Sequence, residues 1–383
     1  MKNKQYLGCR GKIRLSIFKF QNLSQPSLFL GVLLTICISG ILSGCTQTTD
    51  SQINKLSVDK PYTLLFTNPN QTSQSDHLDP LGEAVAQHIS QAKSTLDIAA
   101  YELNNETITK AISQAKSRGV QIRIVTEHSN RQEAPLQKLE QQGIPVEDDG
   151  AENRGLMHDK FLIIDGEVLG MGSMNFTRNC TQRNNNNFVF WDSHQDPAIA
   201  QLIDNYQIEF EQLWSGKFGP MKVPQTPYPK IQLKDGTVLE TYFSPENQPL
   251  TALENTLANA KQSVDILAFS FTAKALEKIL QEDIARGVAV RGIFEHKQNS
   301  TYSSFLRLSA LGGDIREDTN LYMMHHKVLL IDRDSDAPSL VFGSFNFSLG
   351  ANTRNDENLL IVHNNKAMSQ SFGQEFDQLW SER

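Results

Sequence analysis

Cysteine is scarce in this chain, which has four among 383 residues. Cys9 and Cys37 lie within the first 44 positions, Cys45 follows directly, and Cys180 is the one cysteine in the remainder. A lone cysteine excludes a disulfide framework after residue 45, and no Cys/His cluster has the spacing of a zinc site. The fold must therefore be stabilised by its hydrophobic core, which a chain of this length is large enough to form.

Acidic residues are absent from the first 44 positions, which are rich in lysine and arginine. An apolar run from Leu28 to Leu42 follows, and at about 15 residues it is short for a membrane-spanning helix. This pattern is typical of an export signal. Leu42-Ser43-Gly44-Cys45 resembles a bacterial lipobox, which implies removal of residues 1–44, lipidation of Cys45 and a polar tether at 45–60. We expect an exported protein, lipid-anchored in the cell envelope; an uncleaved signal anchor is the alternative.

Basic residues are outnumbered in the rest of the chain. The whole chain has a formal net charge of −7 and the first 44 residues carry +6, so residues 45–383 carry −13. Proteins dedicated to nucleic-acid binding usually bind the phosphate backbone through a basic surface. The charge argues against that class, although a local basic cleft stays compatible with it.

The sequence matches itself at a shift of 168 residues. Arg118-Gly119-Val120 falls on Arg286-Gly287-Val288, and Glu209–Trp214 matches Glu375–Trp380 with a small gap. This period is too long for a solenoid repeat and indicates one duplicated domain. We predict a first domain at 61–215, a proline-containing linker at 216–236 and a second domain at 237–383.

Strand and helix patterns alternate within each half. Residues 95–101 and 120–126 are strand-like, and 106–117 has apolar residues at helical spacing. Asp165-Gly166 is a strong turn pair between two further strand-like runs. The alternation predicts two similar α/β sandwich domains related by pseudo-twofold symmetry.

One motif of polar residues occurs once in each half. Each copy has a histidine, a lysine two positions later, an aspartate five positions after the lysine, and a Gly-Ser-x-Asn string. The copies are His158, Lys160, Asp165, Ser173 and Asn175, and His325, Lys327, Asp332, Ser344 and Asn346. Histidine and lysine share a face of a strand, because alternate residues point the same way. The spacing places His326 on the opposite face, where we predict a role in packing or as a polar filler.

These residue types suit phosphodiester cleavage. One histidine can attack phosphorus while the other protonates the leaving alcohol, and the lysines and asparagines can neutralise the non-bridging oxygens. The pattern resembles the signature of the phospholipase D superfamily over nearly all of the chain after residue 60. The resemblance implies a phosphohistidine intermediate, one site formed by both halves of a monomer, and no metal or other cofactor.

The resemblance also implies a carboxylate behind each histidine, eleven residues after the asparagine. That position holds Glu357 in the second half and Asn186 in the first. We expect Glu357 to back His325 and favour its protonated form as general acid. We expect Asn186 to back His158, leaving a neutral nucleophile.

Two other repeated features are predicted to be supporting. Asp165 and Asp332 lie an odd number of residues from their lysines, so they are expected to face away from the site and brace the hairpins. Glu127-His128 and Glu295-His296 recur at strand ends, where lining the cleft mouth and a purely structural role are equally compatible with the sequence.

The chemistry leaves three substrate hypotheses. The first is hydrolysis of phospholipids to phosphatidic acid and a head-group alcohol, favoured by the predicted anchor and the acidic charge. The second is a metal-independent endonuclease of the same superfamily, with nucleic acid as partner. The third is a phosphatidyl transferase similar to cardiolipin synthases, disfavoured because no transmembrane pattern follows the signal.

Overall fold

The structure is a computed structural model that describes residues 60–69, 78–152 and 155–382. The predicted signal at 1–44, Cys45 and the tether up to residue 59 lie outside the described residues. Helices are numbered below in chain order, as are strands.

The first half builds a seven-stranded mixed sheet with helices around it. Its strands are β1 (Tyr62–Phe66), β2 (Thr95–Ala100), β3 (Gln121–Thr126), β4 (Val146–Asp148), β5 (Lys160–Ile164), β6 (Val168–Gly172) and β7 (Asn187–Asp192). Its helices are α1 (Pro80–Ser90), α2 (Glu106–Ser117), α3 (Ala134–Gln141), α4 (Arg178–Gln182) and α5 (Ile199–Trp214).

The second half repeats this order of elements. Its strands are β8 (Lys230–Gln232), β9 (Val238–Ser244), β10 (Ser263–Ala268), β11 (Ala289–Phe294), β12 (Asp314–Glu317), β13 (Lys327–Ile331), β14 (Ser339–Gly343) and β15 (Glu357–His363). Its helices are α6 (Pro249–Leu257), α7 (Lys274–Ala285), α8 (Phe305–Ala310), α9 (Leu349–Thr353) and α10 (Lys366–Ser381).

The two sheets have the same topology. The strand order is β1-β7-β6-β5-β2-β3-β4 in the first and β9-β15-β14-β13-β10-β11-β12 in the second, with β8 added beside β9. The predicted pair of similar α/β domains is confirmed. Strand β8 lies within 216–236, the interval predicted to be the linker between the halves.

The helices follow from the sequence pattern. Helix α2 buries Ile108, Ala111, Ile112 and Ala115 on one face, and the Asn105 side chain caps its first turn by accepting the Ile108 N–H. Burial of such an apolar stripe supplies most of a helix's stability in a protein. The same reasoning holds for the other long helices.

The largest hydrophobic core is shared by both halves. It joins Tyr206 and Phe210 of α5 to Phe372 and Phe376 of α10, together with residues of both sheets. A separate core fills the outer side of each half. The shared core holds the halves together, so the strand ends of one half keep a fixed position relative to those of the other.

Two short backbone bridges join the halves beside their strand ends. Met157 pairs with Asp356, and Asn185 pairs with Met324, both in parallel fashion. The two bridges are equivalent when the halves are exchanged. Each places the residue before a motif histidine next to a residue of the other half.

No helix within 60–69, 78–152 and 155–382 is both long enough and apolar enough to cross a bilayer.

Candidate active site

The two motif lysines begin equivalent central strands. Lys160 is the first residue of β5 and Lys327 the first of β13, and each histidine lies two positions earlier. The Lys327 ammonium donates to the His325 carbonyl oxygen at 2.7 Å, and Lys160 makes the same bond to His158 at 2.5 Å. Each lysine is therefore held beside its own histidine, as the alternation of side chains predicts.

Each histidine is held by a side chain of the opposite half. His158 Nδ1 lies 2.7 Å from Glu357 Oε2, and His325 Nδ1 lies 2.9 Å from Asn186 Oδ1. The prediction that Glu357 backs His325 and Asn186 backs His158 is therefore wrong. The cause is the backbone pairing between the halves, in which the His158 N–H donates to the Asp356 carbonyl and carries Glu357 to His158.

The motif serines fix these partners. Ser344 Oγ donates to Glu357 Oε2 at 2.8 Å, and Ser173 Oγ lies 3.0 Å from Asn186 Oδ1. Each serine and its partner belong to the same half. The result is two relays, Ser344–Glu357–His158 and Ser173–Asn186–His325, that leave the Nε2 atom of each ring as its reactive nitrogen.

A second crosswise pair lies behind each relay. The Asn358 amide donates to Asp159 Oδ1 at 2.6 Å, and the Asn187 amide lies 2.9 Å from His326 Nδ1. His326 is fully buried and also approaches Glu375, with Nε2 and Oε1 3.4 Å apart. His326 is therefore a buried polar residue whose partners differ from those of His325, in agreement with the prediction.

Two aromatic rings flank the site and were not singled out from the sequence. Tyr101 packs edge-on against His158 at 4.9 Å between ring centroids, and Phe269 packs in the same way against His325 at 5.1 Å. The lysine ammonium of each half lies about as far from the same ring. The signal was present, because the 168-residue shift aligns Tyr101 with Phe269.

The side chains of the two motif asparagines keep hydrogen-bonding capacity; Asn175 is buried and Asn346 is half-buried. The side-chain oxygens of Asn175 and Asn346 have no partner among the described residues. Strand β6 ends at Gly172 and β14 ends at Gly343, and each asparagine lies three positions after that glycine. These two oxygens therefore accept no hydrogen bond from the described part of the protein.

The two signature aspartates lie outside the site, as predicted. Asp165 accepts backbone N–H groups from Lys93, Ser94 and Thr95, and Asp332 accepts the equivalent three from residues 261–263. Both adopt a positive φ, 55° and 51°, at the end of their strands. They join the hairpin to the start of the neighbouring strand.

The repeated Glu-His pairs have a structural contact in each half. Glu127 accepts the Met157 N–H and Glu295 the Met324 N–H, one residue before each motif histidine. Glu295, His296 and Asp318 form the one group of possible metal ligands found in the described ranges, with ligand atoms within 4.8 Å of one another. Glu295 accepts two backbone N–H groups, and these hydrogen bonds are enough to explain its position in this group.

The family model described as "Cardiolipin synthase, PLD-like domain" matches this chain twice, at residues 85–214 and 253–380. Each match contains one copy of the His/Lys/Asn motif. The chain belongs to the phospholipase D superfamily.

Several curated proteins of this superfamily are similar in sequence. A phospholipase D of Rickettsia bellii is 30% identical over 198 residues, which cover 49% of this chain and 94% of that protein. A mitochondrial cardiolipin hydrolase of Chlamydomonas reinhardtii is 34% identical over 145 residues, or 37% of this chain and 58% of that one. The chain thus spans little more than half the length of the cardiolipin hydrolases that it matches.

A solved structure shares the two-domain fold. The phosphatidylserine synthase of Haemophilus influenzae aligns with a TM-score of 0.58 at 13% identity, covering 84% of this chain and 86% of that chain. At this identity the match supports the fold alone.

Burial shapes the charges of this phospholipase D-like site. Burial lowers the pKa of Lys160 to about 8 and that of Lys327 well below its usual value, with Lys160 adding repulsion at Lys327. Burial and the two lysines also hold the pKa of both motif histidines well below 6.5. In the free site both histidine rings are therefore neutral, and burial disfavours the charged form of both lysines. A bound anion would stabilise the charged lysines, so the site favours anion binding.

Carboxylates are concentrated on the His158 side. Burial raises the pKa of Glu357 to about 7, against the opposing effect of Lys160. Lys222, from the interval between the halves, is fully buried 3.1 Å from Asp356, 3.2 Å from Glu246 and in contact with Glu209. This lysine could not be predicted to be buried, because the proline-containing segment around it has no apolar periodicity.

Proposed function

We propose that this protein hydrolyses phospholipid phosphodiester bonds through a covalent phosphohistidine on His158. The observation that supports the proposal is the crosswise pairing, in which each motif histidine is held through Nδ1 by a side chain of the other half. The products are phosphatidic acid and the head-group alcohol.

In the first step neutral His158 Nε2 attacks phosphorus. A P–N bond forms and the P–O bond to the head-group alcohol breaks, while His325 Nε2–H gives its proton to the departing oxygen. The negative charge of the bound phosphodiester opposes the effect of the lysines on His325 and helps it to hold this proton. Lys160, Lys327, Asn175 and Asn346 neutralise and orient the non-bridging oxygens.

The relay residues support these roles for reasons that differ from the sequence hypothesis. A ring with phosphorus on Nε2 and hydrogen on Nδ1 is positively charged, and the Glu357 carboxylate compensates that charge at 2.7 Å. The neutral Asn186 orients His325 without holding its proton tightly. A carboxylate thus suits the nucleophile, whose charge persists through the intermediate.

In the second step water resolves the intermediate. Neutral His325 takes a proton from water, the oxygen attacks phosphorus, and the P–N bond breaks to release phosphatidic acid and free His158. An alcohol in place of water would give transfer instead of hydrolysis.

Two observations favour a phospholipid substrate. Similar proteins are named cardiolipin hydrolase and phospholipase D. The charge of −13 after residue 44 disfavours long polyanions such as DNA.

The substrate is tested by a side-by-side assay with chelator present. Vesicles of mixed phospholipids, with and without cardiolipin, are compared with single- and double-stranded DNA. We expect head-group release from vesicles and slower DNA cleavage or none. Faster cleavage of DNA would support the endonuclease, and phosphatidyl transfer to added glycerol in preference to water would support the transferase.

The histidine roles are tested with a substrate that has a good leaving group, such as a nitrophenyl phosphodiester. His325→Asn should still form an adduct, because such a group needs little protonation, and that adduct should be hydrolysed slowly. His158→Asn should form none. An adduct on His325 that persists in His158→Asn would reverse the roles.

We also propose that the protein is exported and anchored to a membrane by lipid on Cys45, which places the site at its substrate. Cys45→Ser should release the protein from membranes or block its processing. Unchanged membrane attachment with an intact N-terminus would favour a signal anchor.

A further inference from the structure

The contact between the halves at His158 involves two neighbouring residues on either side. The dipeptide His158-Asp159 meets the dipeptide Glu357-Asn358. The first members form the relay at 2.7 Å, and the second members form the pair behind it at 2.6 Å. Glu357 and Asn358 are consecutive in β15, so their side chains point to opposite faces of the strand. The start of β15 is therefore held by a hydrogen bond on each face, which fixes its orientation relative to the His158 ring.

The side chain of Asn358 has a partner at each end of its amide. Its nitrogen donates to Asp159 Oδ1 at 2.6 Å, and its oxygen accepts the Tyr206 hydroxyl at 3.3 Å. The Asn358 backbone N–H also donates to Ser344 Oγ at 3.0 Å. All four residues are completely buried. Because a hydrogen bond to an ionised carboxylate is stronger than one between neutral groups, Asp159 is the partner that holds Asn358 most strongly.

The equivalent pair in the other relay contains neither a carboxylate nor a hydroxyl donor. The Asn187 amide lies 2.9 Å from His326 Nδ1, and the Asn187 side-chain oxygen has no partner within the described ranges. Tyr206 matches Phe372 in the repeat, and a phenylalanine has no hydroxyl to donate. Of the two relays, the one at His158 therefore has the more firmly held second pair.

Asp159 is largely ionised at neutral pH. Burial raises its pKa to about 6, while Lys222 and the Asn358 amide oppose that effect. The titratable side chains that interact with its charge are those of Lys160, Lys222, Tyr206, Glu209, Asp356 and Glu357. At about pH 8 the contact with Asn358 is therefore an amide bonded to a carboxylate.

We propose that Asp159 is a positioning residue for the nucleophile. It holds Asn358, which is joined by one peptide bond to Glu357, and so keeps the Glu357 carboxylate against His158 Nδ1. This role rests on the reaction proposed above, in which His158 attacks phosphorus. The carboxylate that compensates the phosphorylated ring is then held in place by a second carboxylate, which comes from the same half as the ring.

The pair can be broken and restored by exchanging its two members. Asn358→Asp opposes two buried carboxylates, whereas Asp159→Asn combined with Asn358→Asp restores one amide and one carboxylate. The His158–Glu357 hydrogen bond is followed in the free, full-length chain by the downfield NMR resonance of the His158 Nδ1 proton, assigned by its absence in His158→Asn. We expect this resonance in the wild type and in the exchanged pair, and its loss in Asn358→Asp. The matched control, Asn187→Asp, makes the same change behind the other relay and should retain it.

The effect on the nucleophile is measured as the rate of adduct formation with a nitrophenyl phosphodiester. The His325→Asn background is used, because the adduct is expected to accumulate there. At about pH 8 we expect Asn358→Asp to lower the rate constant about 100-fold, since a small displacement of the ring misplaces the attacking atom. The exchanged pair should return it to within about fivefold of the parent, and Asn187→Asp should leave it unchanged. The final amount of adduct per folded chain should be the same in all variants.

Three results would overturn the proposal. The first is an Asn358→Asp variant that keeps the His158 resonance and forms the adduct at the parent rate. The second is an exchanged pair that is folded by circular dichroism but lacks the resonance. The third is a smaller amount of adduct at an unchanged rate constant, which would give the pair a structural role only. If the parent kept the resonance but formed no adduct, the phosphohistidine reaction would be contradicted instead, and the resonance would still show whether Asp159 and Asn358 hold Glu357 against His158.

Discussion

His158 of the first half and Glu357 of the second form one hydrogen-bonded pair, with Nδ1 and Oε2 2.7 Å apart. Its counterpart across the pseudo-twofold axis, His325 with Asn186, has an amide in place of the carboxylate. The two partner positions are equivalent in the fold but differ in charge. Substitutions at Glu357 and Asn186 can therefore exchange the charge and keep the shape of the site.

Glu357→Gln gives His158 the neutral partner that His325 has. We expect kcat to fall by about 10² to 10³, because the phosphorylated ring loses its compensating charge. The fold should persist, since the Asn355 amide beside Glu357 can turn to present its oxygen. The measurement is steady-state kinetics on vesicles with circular dichroism as control, and a kcat within threefold of wild type would contradict the role of Glu357.

Asn186→Asp gives His325 a carboxylate. A nearby negative charge favours the imidazolium and raises its pKa, so the alkaline limb of the pH–rate profile, which reports loss of the acid's proton, should move to higher pH by about 1 unit. Stability should fall by about 1–3 kcal/mol, because Asn186 donates to the Cys180 carbonyl at 2.9 Å and a carboxylate cannot. If only the acidic limb of the pH–rate profile moved, His325 would be the group that must be unprotonated, and the acid role would belong to His158.

Anion binding should depend on pH through the lysines. In the free protein the pKa of Lys160 is lowered to about 8, and a bound anion stabilises the charged form. Inhibition by sulfate should therefore be strongest below about pH 8 and weaken about tenfold per pH unit above it. The inhibition constant is measured between about pH 6 and pH 10, and a constant value over that range would show that the lysines stay charged without an anion.

Lys222→Met removes the cation from a buried group of carboxylates. We expect a loss of about 3–5 kcal/mol in unfolding free energy, because the carboxylates remain without a partner. Burial already raises the pKa of Asp356 to about 7, and loss of the lysine raises it further. The protonated form then favours folding, so the deficit should be larger at pH 8 than at pH 6. Denaturant unfolding at both pH values measures this, with Lys278→Met on the exposed face of α7 as control.

The local structure could be predicted because its causes are local. The period of Ile108, Ala111, Ile112 and Ala115 defines α2, and its predicted bounds at 106–117 agree with the structure. The alternation rule placed Lys160 beside His158 and turned His326 away from His325. Such features depend on residues close together in the chain.

The histidine partners could not be predicted, since they depend on how the halves meet. Spacing from Asn346 finds Glu357 but does not say which histidine it faces. That choice is made by the bridge between Met157 and Asp356, two residues 199 positions apart. The short strand β8 was missed for a related reason, because its pairing with β9 is what gives Lys230–Gln232 an extended form.

The crosswise relays have a consequence for how such a site can vary. A homodimer of one half would place identical side chains at both relay positions, because a twofold axis copies every substitution. Fusion of the two halves removes that restriction. Glu357 and Asn186 are two such independent choices, so the covalent link between the halves lets one chain specialise its two histidines separately.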